Sequence, residues 1–203
     1  MDDDDLRRGR PTSHVAYGED VAILAGDALF AEAVRLIAEC QEGPADRVLA
    51  AIKEVAAATG VDGMVGGQYY DVTATAPDPG SLRLLHSLKT GRLIAASVCS
   101  ALVLTDAGEE EQRAFRDFAA ELGVLFQIVD DILDVTGSDE ELGKPHGSDE
   151  RHGKTTYVSL HGLDHARELA ERSHREATEA LGRAGGDTGS LRAIADYIFT
   201  RKG

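Results

Sequence analysis

The stretch that decides the fold is Phe126-Gln127-Ile128-Val129-Asp130-Asp131-Ile132-Leu133-Asp134. Its apolar residues recur at helical spacing, and Asp130 and Asp134 are four residues apart, so on a helix they share a face. Carboxylates among apolar neighbours need a cation, because an unpaired buried charge is costly. Carboxylate oxygens suit Mg²⁺, which usually also takes water and substrate phosphates. The stretch therefore predicts a helix that carries part of a magnesium site, although a solvated acidic helix face is the alternative.

Composition bounds the class of protein. The chain has 203 residues and a net charge of −15, which argues against nucleic-acid or anionic-membrane surfaces because both require basic patches. Cys40 and Cys99 stand in apolar surroundings without metal-ligand spacing, so we expect two free, buried thiols in a reducing compartment. The longest nearly apolar run, residues 93–104, is shorter than the about 20 residues of a transmembrane helix. We predict a cytoplasmic protein without a signal segment or a membrane span.

Hydrophobic periodicity is helical throughout, and no segment alternates with period two. Gly43-Pro44 separates the first two helical patterns, and Ser81 is the expected N-cap of a later one. These patterns predict an all-α fold of about six to eight helices in a single domain, residues 1–203. The helical patterns cover residues 17–43, 44–60, 81–106, 109–135, 155–160, 166–181 and 191–199.

The segment 62–71, Asp-Gly-Met-Val-Gly-Gly-Gln-Tyr-Tyr-Asp, is ambiguous. Three glycines weaken an isolated helix by about 1 kcal/mol each, which favours a loop. The same glycines would let a second helix or a ligand approach the backbone closely. Gln68 and Asp71 would share one face if the segment were helical.

Charged residues outside the aspartate stretch complement it. Asp2-Asp3-Asp4-Asp5 is followed directly by Leu6-Arg7-Arg8, and Lys89, Lys144 and Lys154 are spread along the chain. If these groups converge, carboxylates can hold Mg²⁺ while lysines and arginines meet the outer oxygens of a diphosphate. Such a site can ionise a carbon–oxygen bond by neutralising the departing diphosphate.

The ordered set of motifs resembles the trans-isoprenyl diphosphate synthases, the polyprenyl synthetase family of farnesyl and geranylgeranyl diphosphate synthases. The resemblance extends from Asp2 to the C-terminus. Besides the aspartate stretch, it rests on four segments: residues 2–14, 63–68 and 86–91, and the Gly-Lys motifs at 143–145 and 153–160.

The resemblance implies an isoprenoid synthase-type helical bundle, a homodimer, and a Mg²⁺-dependent condensation of isopentenyl diphosphate with an allylic diphosphate. An allylic cation forms, the second substrate attacks it, and a proton is lost. The implied metal residues are Asp2, Asp130, Asp131 and Asp134, with Asp131 in support. The implied diphosphate-binding residues are Arg7, Arg8, Lys89, Lys144 and Lys154. Thr90 and Gln127 are implied to face the cation, and the implied catalytic residues are Lys89, Thr90, Gln127 and Asp130.

This chain departs from the family pattern at its N-terminus. The family's first aspartate-rich motif begins before the position of Asp2, and helices that precede that motif are not in this sequence. We therefore expect a bundle without its N-terminal helices, and little prenyl transfer by these 203 residues alone. An alternative is an inactive remnant or regulatory subunit that dimerises with an intact synthase. A terpene cyclase is less favoured, because it would require an Asn/Ser/Glu metal motif in place of Asp130, Asp131 and Asp134.

Overall fold

A computed structural model describes residues 3–73, 78–105, 107–137 and 153–201. Asp2 and Lys144, which the sequence analysis places in the site, lie outside these ranges. The all-α prediction is confirmed, with one small addition near the N-terminus.

That addition is a hairpin of two short antiparallel strands, β1 (Leu6–Arg7) and β2 (Arg10–Pro11). Arg8 and Gly9 form its turn with φ of 52° and 71°, so both adopt left-handed backbone conformations. A turn with two positive φ values matches the twist of a hairpin, but arginine rarely adopts this conformation. Sequence periodicity could not reveal strands this short.

Helices α1 (Ser13–Tyr17), α2 (Glu19–Cys40) and α3 (Ala45–Thr59) follow the hairpin. Helix α2 buries none of its 22 residues, although large apolar side chains recur along it. Cys40, at its end, is exposed, so the prediction of two buried thiols is wrong for this residue and holds for Cys99.

The glycine-rich segment forms helix α4 (Met64–Thr73) and not a loop. Helix α5 (Pro79–His86) begins after Asp78, whose side chain accepts hydrogen bonds from the backbone N–H groups of Gly80 and Ser81. The predicted cap, Ser81, is therefore wrong, and its hydroxyl donates to Asp78 instead. The chain continues through one π-helical turn (Ser87–Gly91) into helix α6 (Arg92–Thr105).

The continuous helical run of residues 79–105 is long and apolar enough to cross a membrane. The core helices of globular proteins meet the same criterion, so this is weak evidence for a span. Here Leu82, Ala96 and Leu102 are buried within the bundle, which accounts for part of the apolar composition.

Helix α7 (Glu109–Thr136) is the central helix, and it packs against α6 and against α9 (Leu163–Arg183). Helix α8 (Tyr157–His161) and helix α10 (Gly189–Thr200) complete the described bundle. The largest core side chains of α7, Phe118, Leu125 and Ile128, are at most 1% exposed. The aspartate stretch is thus anchored by the best-buried helix face in the described part of the chain.

Two close backbone crossings hold the π turn in place. A Cβ at Gly67 of α4 would lie 2.2 Å from the backbone nitrogen of Lys89, and a Cβ at Gly123 of α7 would lie 2.7 Å from Cα of Gly91. Gly67 of the 62–71 segment therefore allows the close backbone approach that one of the two sequence interpretations predicted. The π turn, which contains Lys89 and Thr90, is packed closely between the backbones of α4 and α7.

Candidate active site

A hydrogen-bonded chain joins the π turn to α7. The Thr90 hydroxyl donates to Oε1 of Gln127 at 3.3 Å, and Nε2 of Gln127 donates to Oδ1 of Asp131 at 2.8 Å. The backbone N–H of Tyr157, at the start of α8, donates to Oδ2 of Asp131 at 2.7 Å. Through Gln127 and Asp131 of α7, the π turn is thus connected to the start of α8 by hydrogen bonds.

The three aspartates of α7 have different environments. Asp131 and Asp134 are 1% and 5% exposed, whereas the side chain of Asp130 is 52% exposed. The predicted pairing of Asp130 with Asp134 on one face is correct in spacing, but the buried carboxylates are Asp131 and Asp134. Both oxygens of Asp131 accept N–H hydrogen bonds, which is consistent with the supporting role that the resemblance implies for it, and Asp130 and Asp134 remain candidate metal ligands on α7.

Arg201, just after α10, covers the outer side of Asp130. Its guanidinium lies 4.5 Å from the centre of the Phe126 ring and 3.4 Å from Oδ1 of Asp130. The arginine side chain is only 14% exposed, so its contact with Phe126 is substantially desolvated. Sequence reasoning missed this residue, because the basic tail gave no sign of where it would fold back.

Lys89 forms an ion pair that the sequence analysis did not anticipate. Its Nζ lies 2.7 Å from Oδ2 of Asp71 in α4, and the two side chains are 25% and 12% exposed. Gly67 of α4 makes this possible by allowing the helix to lie against the π turn. The spacing of Gln68 and Asp71 on one face was the available signal, but it pointed to no partner.

A groove runs from Lys89 and Thr90 along α6. It has a volume of about 310 Å³, and it is lined by Lys89, Thr90, Leu93, Ile94, Ser97 and Phe126. Residues 90, 93, 94 and 97 follow helical spacing, so they present one wall to the groove. The groove has a polar end at the π turn and an apolar length beyond it.

Two buried ionisable groups flank the site on its inner side. Burial, with a smaller contribution from Lys89, lowers the pKa of His86 to about 4, although Asp71 opposes this shift. Burial raises the pKa of Tyr157 to about 12. With these pKa values, both groups are neutral at neutral pH. Their rings lie 5.3 Å apart between centroids.

Arg7 and Arg8 line a different cavity. Together with Arg10 and His14 they surround an open space of about 750 Å³ beside the hairpin and the start of α2. The lining residues of this cavity and of the α6 groove do not overlap. The structure thus brings Lys89, Thr90, Gln127 and Asp131 together, but places Arg7 and Arg8 in a separate basic cavity.

Lys154 is the remaining predicted site residue that lies within the described ranges. Lys154 lies three residues before α8 and is half-buried. Among the described residues, no group of three or more histidine, cysteine or acidic side chains is arranged to hold a metal ion together. The complete metal set predicted from sequence, which includes Asp2, is therefore not assembled within the described ranges.

Comparison with known proteins gives one consistent result. The family model described as polyprenyl synthetase matches residues 1–198. A chloroplastic geranylgeranyl pyrophosphate synthase of Catharanthus roseus is 44% identical over 206 residues, which cover 99% of this chain and 58% of that protein. The chain thus spans little more than half the length of this curated relative.

Solved structures agree with this result. A Helicobacter pylori geranyltransferase complexed with magnesium and isoprenyl diphosphate superposes with a TM-score of 0.82 at 32% identity, covering 98% of this chain and 63% of that one. A geranylgeranyl pyrophosphate synthetase of Pyrococcus horikoshii gives 0.89 at 28% identity, covering 99% and 73%. The fold is therefore that of isoprenoid synthases, and this chain belongs to the polyprenyl synthetase family.

Proposed function

We propose that this chain supplies the diphosphate-binding and cation-stabilising part of a Mg²⁺-dependent prenyltransferase. The substrates would be isopentenyl diphosphate and an allylic diphosphate, and the product a longer prenyl diphosphate of the farnesyl or geranylgeranyl class. The observation that carries the proposal is the placement of Lys89 and Thr90 at the polar end of an apolar groove, where the Thr90 hydroxyl donates a hydrogen bond to the Gln127 carbonyl oxygen. The names of the geranylgeranyl pyrophosphate synthases among its relatives support it.

The groove suits an allylic diphosphate in polarity. Lys89 lies at one end, where its ammonium can bind phosphate oxygens, while Leu93, Ile94 and Phe126 offer an apolar surface to a hydrocarbon tail. Thr90 lies at the junction and is hydrogen-bonded to the carbonyl oxygen of Gln127, so the carbon that loses the diphosphate would sit beside these two oxygens. Oxygen dipoles fixed at that point stabilise a positive carbon in a site with little water.

The carboxylates of α7 fit a magnesium ion. Asp130 and Asp134 are one helical turn apart, and carboxylate oxygens are the ligands that Mg²⁺ prefers. Bound there, Mg²⁺ would supply charge that neutralises the leaving diphosphate. Asp130 would exchange its contact with Arg201 for the metal, and Asp134 would hold the ion from its more buried position.

The proposed steps assign a task to each residue. Lys89 and Lys154 hold the allylic diphosphate as its C1–O bond breaks and the electron pair leaves with the diphosphate. Lys144, which lies in the Gly-Lys motif at 143–145, is proposed to bind the same diphosphate. Thr90 and Gln127 direct oxygens at the cation. The double bond of isopentenyl diphosphate, held by Arg8, forms the new carbon–carbon bond. A proton is then lost to the departed diphosphate. Arg7 is proposed to contact the allylic diphosphate, which requires the hairpin cavity to face the groove in the working protein.

Ligand binding followed by turnover tests this function. Titration with geranyl diphosphate and Mg²⁺, followed calorimetrically, should show binding that Lys89→Ala weakens about tenfold or more, because the lysine forms a charge-assisted contact. Lys53→Ala, an exposed lysine of α3, is the matched control and should leave binding unchanged. Products formed with labelled isopentenyl diphosphate are then identified by mass spectrometry. Absence of geranyl diphosphate binding to the unmodified chain would reject the proposal.

A homodimer is proposed as the assembly, and the exposed apolar side chains of α2 support it. Ile23, Leu24 and Leu29 are 64%, 66% and 71% exposed. A helix with such a face commonly packs against a second protein surface. Light scattering should give the mass of two chains, and Leu24→Glu with Leu29→Glu should give one. Monomeric wild-type protein at micromolar concentration would contradict the dimer.

A cytoplasmic location is likewise only a proposal. The free thiol of Cys99 supports a reducing compartment. The C. roseus relative is chloroplastic by name, so the comparisons do not favour the cytoplasm over that organelle. Fluorescence microscopy of the tagged protein in its own cells distinguishes the two locations.

A further inference from the structure

We propose that Asp131 is a positioning residue that fixes the direction of the Gln127 amide. It holds the carbonyl oxygen of Gln127, and not the NH₂ group, toward the cation formed in the groove. This inference rests on the proposed function, and it concerns an aspartate of α7 whose two oxygens both accept N–H groups.

The direction of the amide follows from hydrogen-bond chemistry. An ionised carboxylate only accepts hydrogen bonds, so the side of Gln127 that faces Asp131 must be its NH₂ group. The 2.8 Å bond from Nε2 to Oδ1 has this sense, and Oε1 is left on the opposite side. There it accepts from the Thr90 hydroxyl at 3.3 Å, next to the head of the groove.

The carboxylate is itself held in place. Asp131 is 1% exposed, and its second oxygen accepts the backbone N–H of Tyr157 at 2.7 Å. A backbone donor cannot reverse its direction as an amide side chain can. The Tyr157 backbone therefore fixes the orientation of the Asp131 carboxylate, and that carboxylate fixes the orientation of the Gln127 amide. The carbonyl oxygen of Gln127 is thus directed before any substrate binds.

This order of contacts makes an isosteric substitution informative. In Asp131→Asn the buried N–H of Tyr157 still requires an acceptor, so the asparagine carbonyl faces Tyr157 and its NH₂ faces Gln127. Two NH₂ groups cannot bond to each other, so the Gln127 amide turns over. Its own NH₂ then points into the groove, where a donor repels a positive carbon. Side-chain volume is unchanged, so packing is preserved.

A double exchange reverses the effect. In Gln127→Glu with Asp131→Asn, the asparagine NH₂ donates to one glutamate oxygen, and the other glutamate oxygen faces the groove. The pair keeps its total charge and its number of heavy atoms. Gln127→Glu alone is the mismatched control, since it sets two carboxylates against each other.

Two probes separate positioning from general damage. One is a geranyl analogue with an ammonium group at the position of the cationic carbon, added with inorganic diphosphate and Mg²⁺. The other is geranyl thiolodiphosphate, which carries no positive carbon. Calorimetry gives the affinity of each variant for both probes, and the ratio of the two affinities is the readout. Circular dichroism checks that each variant is folded.

Asp131→Asn should lower the affinity for the ammonium probe about tenfold to a hundredfold, as expected when a hydrogen-bonding group toward a charge is reversed. Its affinity for the thiolodiphosphate should stay within about twofold, and the double variant should restore the ratio. Where turnover is measurable, the loss falls on kcat and leaves KM unchanged. If Asp131→Asn does not fold, Gln127→Met removes the carbonyl while keeping Asp131, and should cause the same loss of the ratio.

The following results would overturn the inference. Equal weakening of both probes would show that Asp131 has only a structural role. An unchanged ratio in Asp131→Asn, or in Gln127→Met if that variant is needed, would show that the amide direction does not matter. Failure of the double exchange to restore a lost ratio would exclude the hydrogen-bonded order. If wild type binds thiolodiphosphate but shows no preference for the ammonium probe, the inference fails while the proposed function stands; if it binds neither, both fail.

Discussion

Replacing Gly67 with alanine is expected to push α4 away from the π turn and to destabilise the protein. The added Cβ would lie 2.2 Å from the Lys89 nitrogen and 2.6 Å from its Cα, whereas ordinary contacts begin near 3.4 Å. Because the obstructing atoms are backbone, no side-chain rotation can relieve the overlap. The helices must therefore separate by about 1 Å, and overpacking of this kind typically costs about 1–3 kcal/mol.

The helix propensity of alanine opposes this cost. Alanine stabilises a helix interior by about 1 kcal/mol relative to glycine. With a gross cost of about 3 kcal/mol, at the upper end because two backbone atoms are involved, the net loss at Gly67 is about 2 kcal/mol. The same movement would lengthen the Lys89–Asp71 ion pair, which is 2.7 Å in the structure.

Gly26→Ala is the matched control. Gly26 lies within α2, and a Cβ there meets nothing within 4 Å, so alanine should stabilise by up to about 1 kcal/mol. The two variants should then differ by about 3 kcal/mol, which corresponds to roughly 1 M in the urea midpoint for a slope of about 3 kcal/mol per M. Urea unfolding followed by circular dichroism measures this difference. If Gly67→Ala is as stable as Gly26→Ala, the close approach of α4 to Lys89 is wrong.

Three further outcomes follow from other contacts. The folded pKa of His86 is about 4, below the ordinary value of 6.5, so its contribution to stability is complete above pH 6.5 and is lost as pH falls toward 4. The loss amounts to up to about 3 kcal/mol. Thermal unfolding of wild type and His86→Leu across that pH range should show a smaller loss of stability in the variant, and parallel curves would contradict this. Arg8→Asn should be about 1 kcal/mol more stable than Arg8→Ala, since asparagine tolerates a φ of 52° and both variants lose the same charge; equal urea midpoints would exclude strain in the hairpin turn. A double-mutant cycle on Lys89→Met and Asp71→Asn should give a coupling free energy of about 1–2 kcal/mol. The exposed pair Arg167–Asp164 is the control and should give about 0–0.5 kcal/mol. Equal coupling free energies would show that burial of the Lys89–Asp71 pair does not strengthen it.

Sequence periodicity predicted the helices of the core because the buried faces of α7 and α9 are long and continuous. It failed where structure depends on contacts between elements. The glycines of α4 lower helix propensity locally, yet the segment is helical, and a glycine at position 67 lets its backbone lie against the π turn. The apolar stripe of α2 predicted a helix correctly, but it could not show that this face stays exposed in the described chain.

In the candidate active site, too, the sequence predicted what lies within one element but not the contacts between elements. Motif order placed Lys89, Thr90, Gln127 and the aspartates in one site, and spacing placed Asp130 and Asp134 on one face. Spacing could not tell which carboxylates are buried, because that depends on α8 and Arg201, which approach from elsewhere in the chain. The partner of Asp71 could not be predicted for the same reason, since Lys89 is 18 residues away.

The contacts of Asp131 explain why adjacent aspartates on one helix can have different tasks. Successive residues on a helix point about 100° apart, so Asp130 and Asp131 cannot face the same partner. Asp131 points inward, where each of its oxygens accepts an N–H group, one from Gln127 and one from the Tyr157 backbone, while Asp130 points outward to Arg201. A metal ion bound at Asp130 and Asp134 would therefore leave the Gln127–Asp131 hydrogen bond intact. In the proposed mechanism, the negative charge that would attract the metal and the dipole that would stabilise the cation are thus controlled by separate side chains of the same helix.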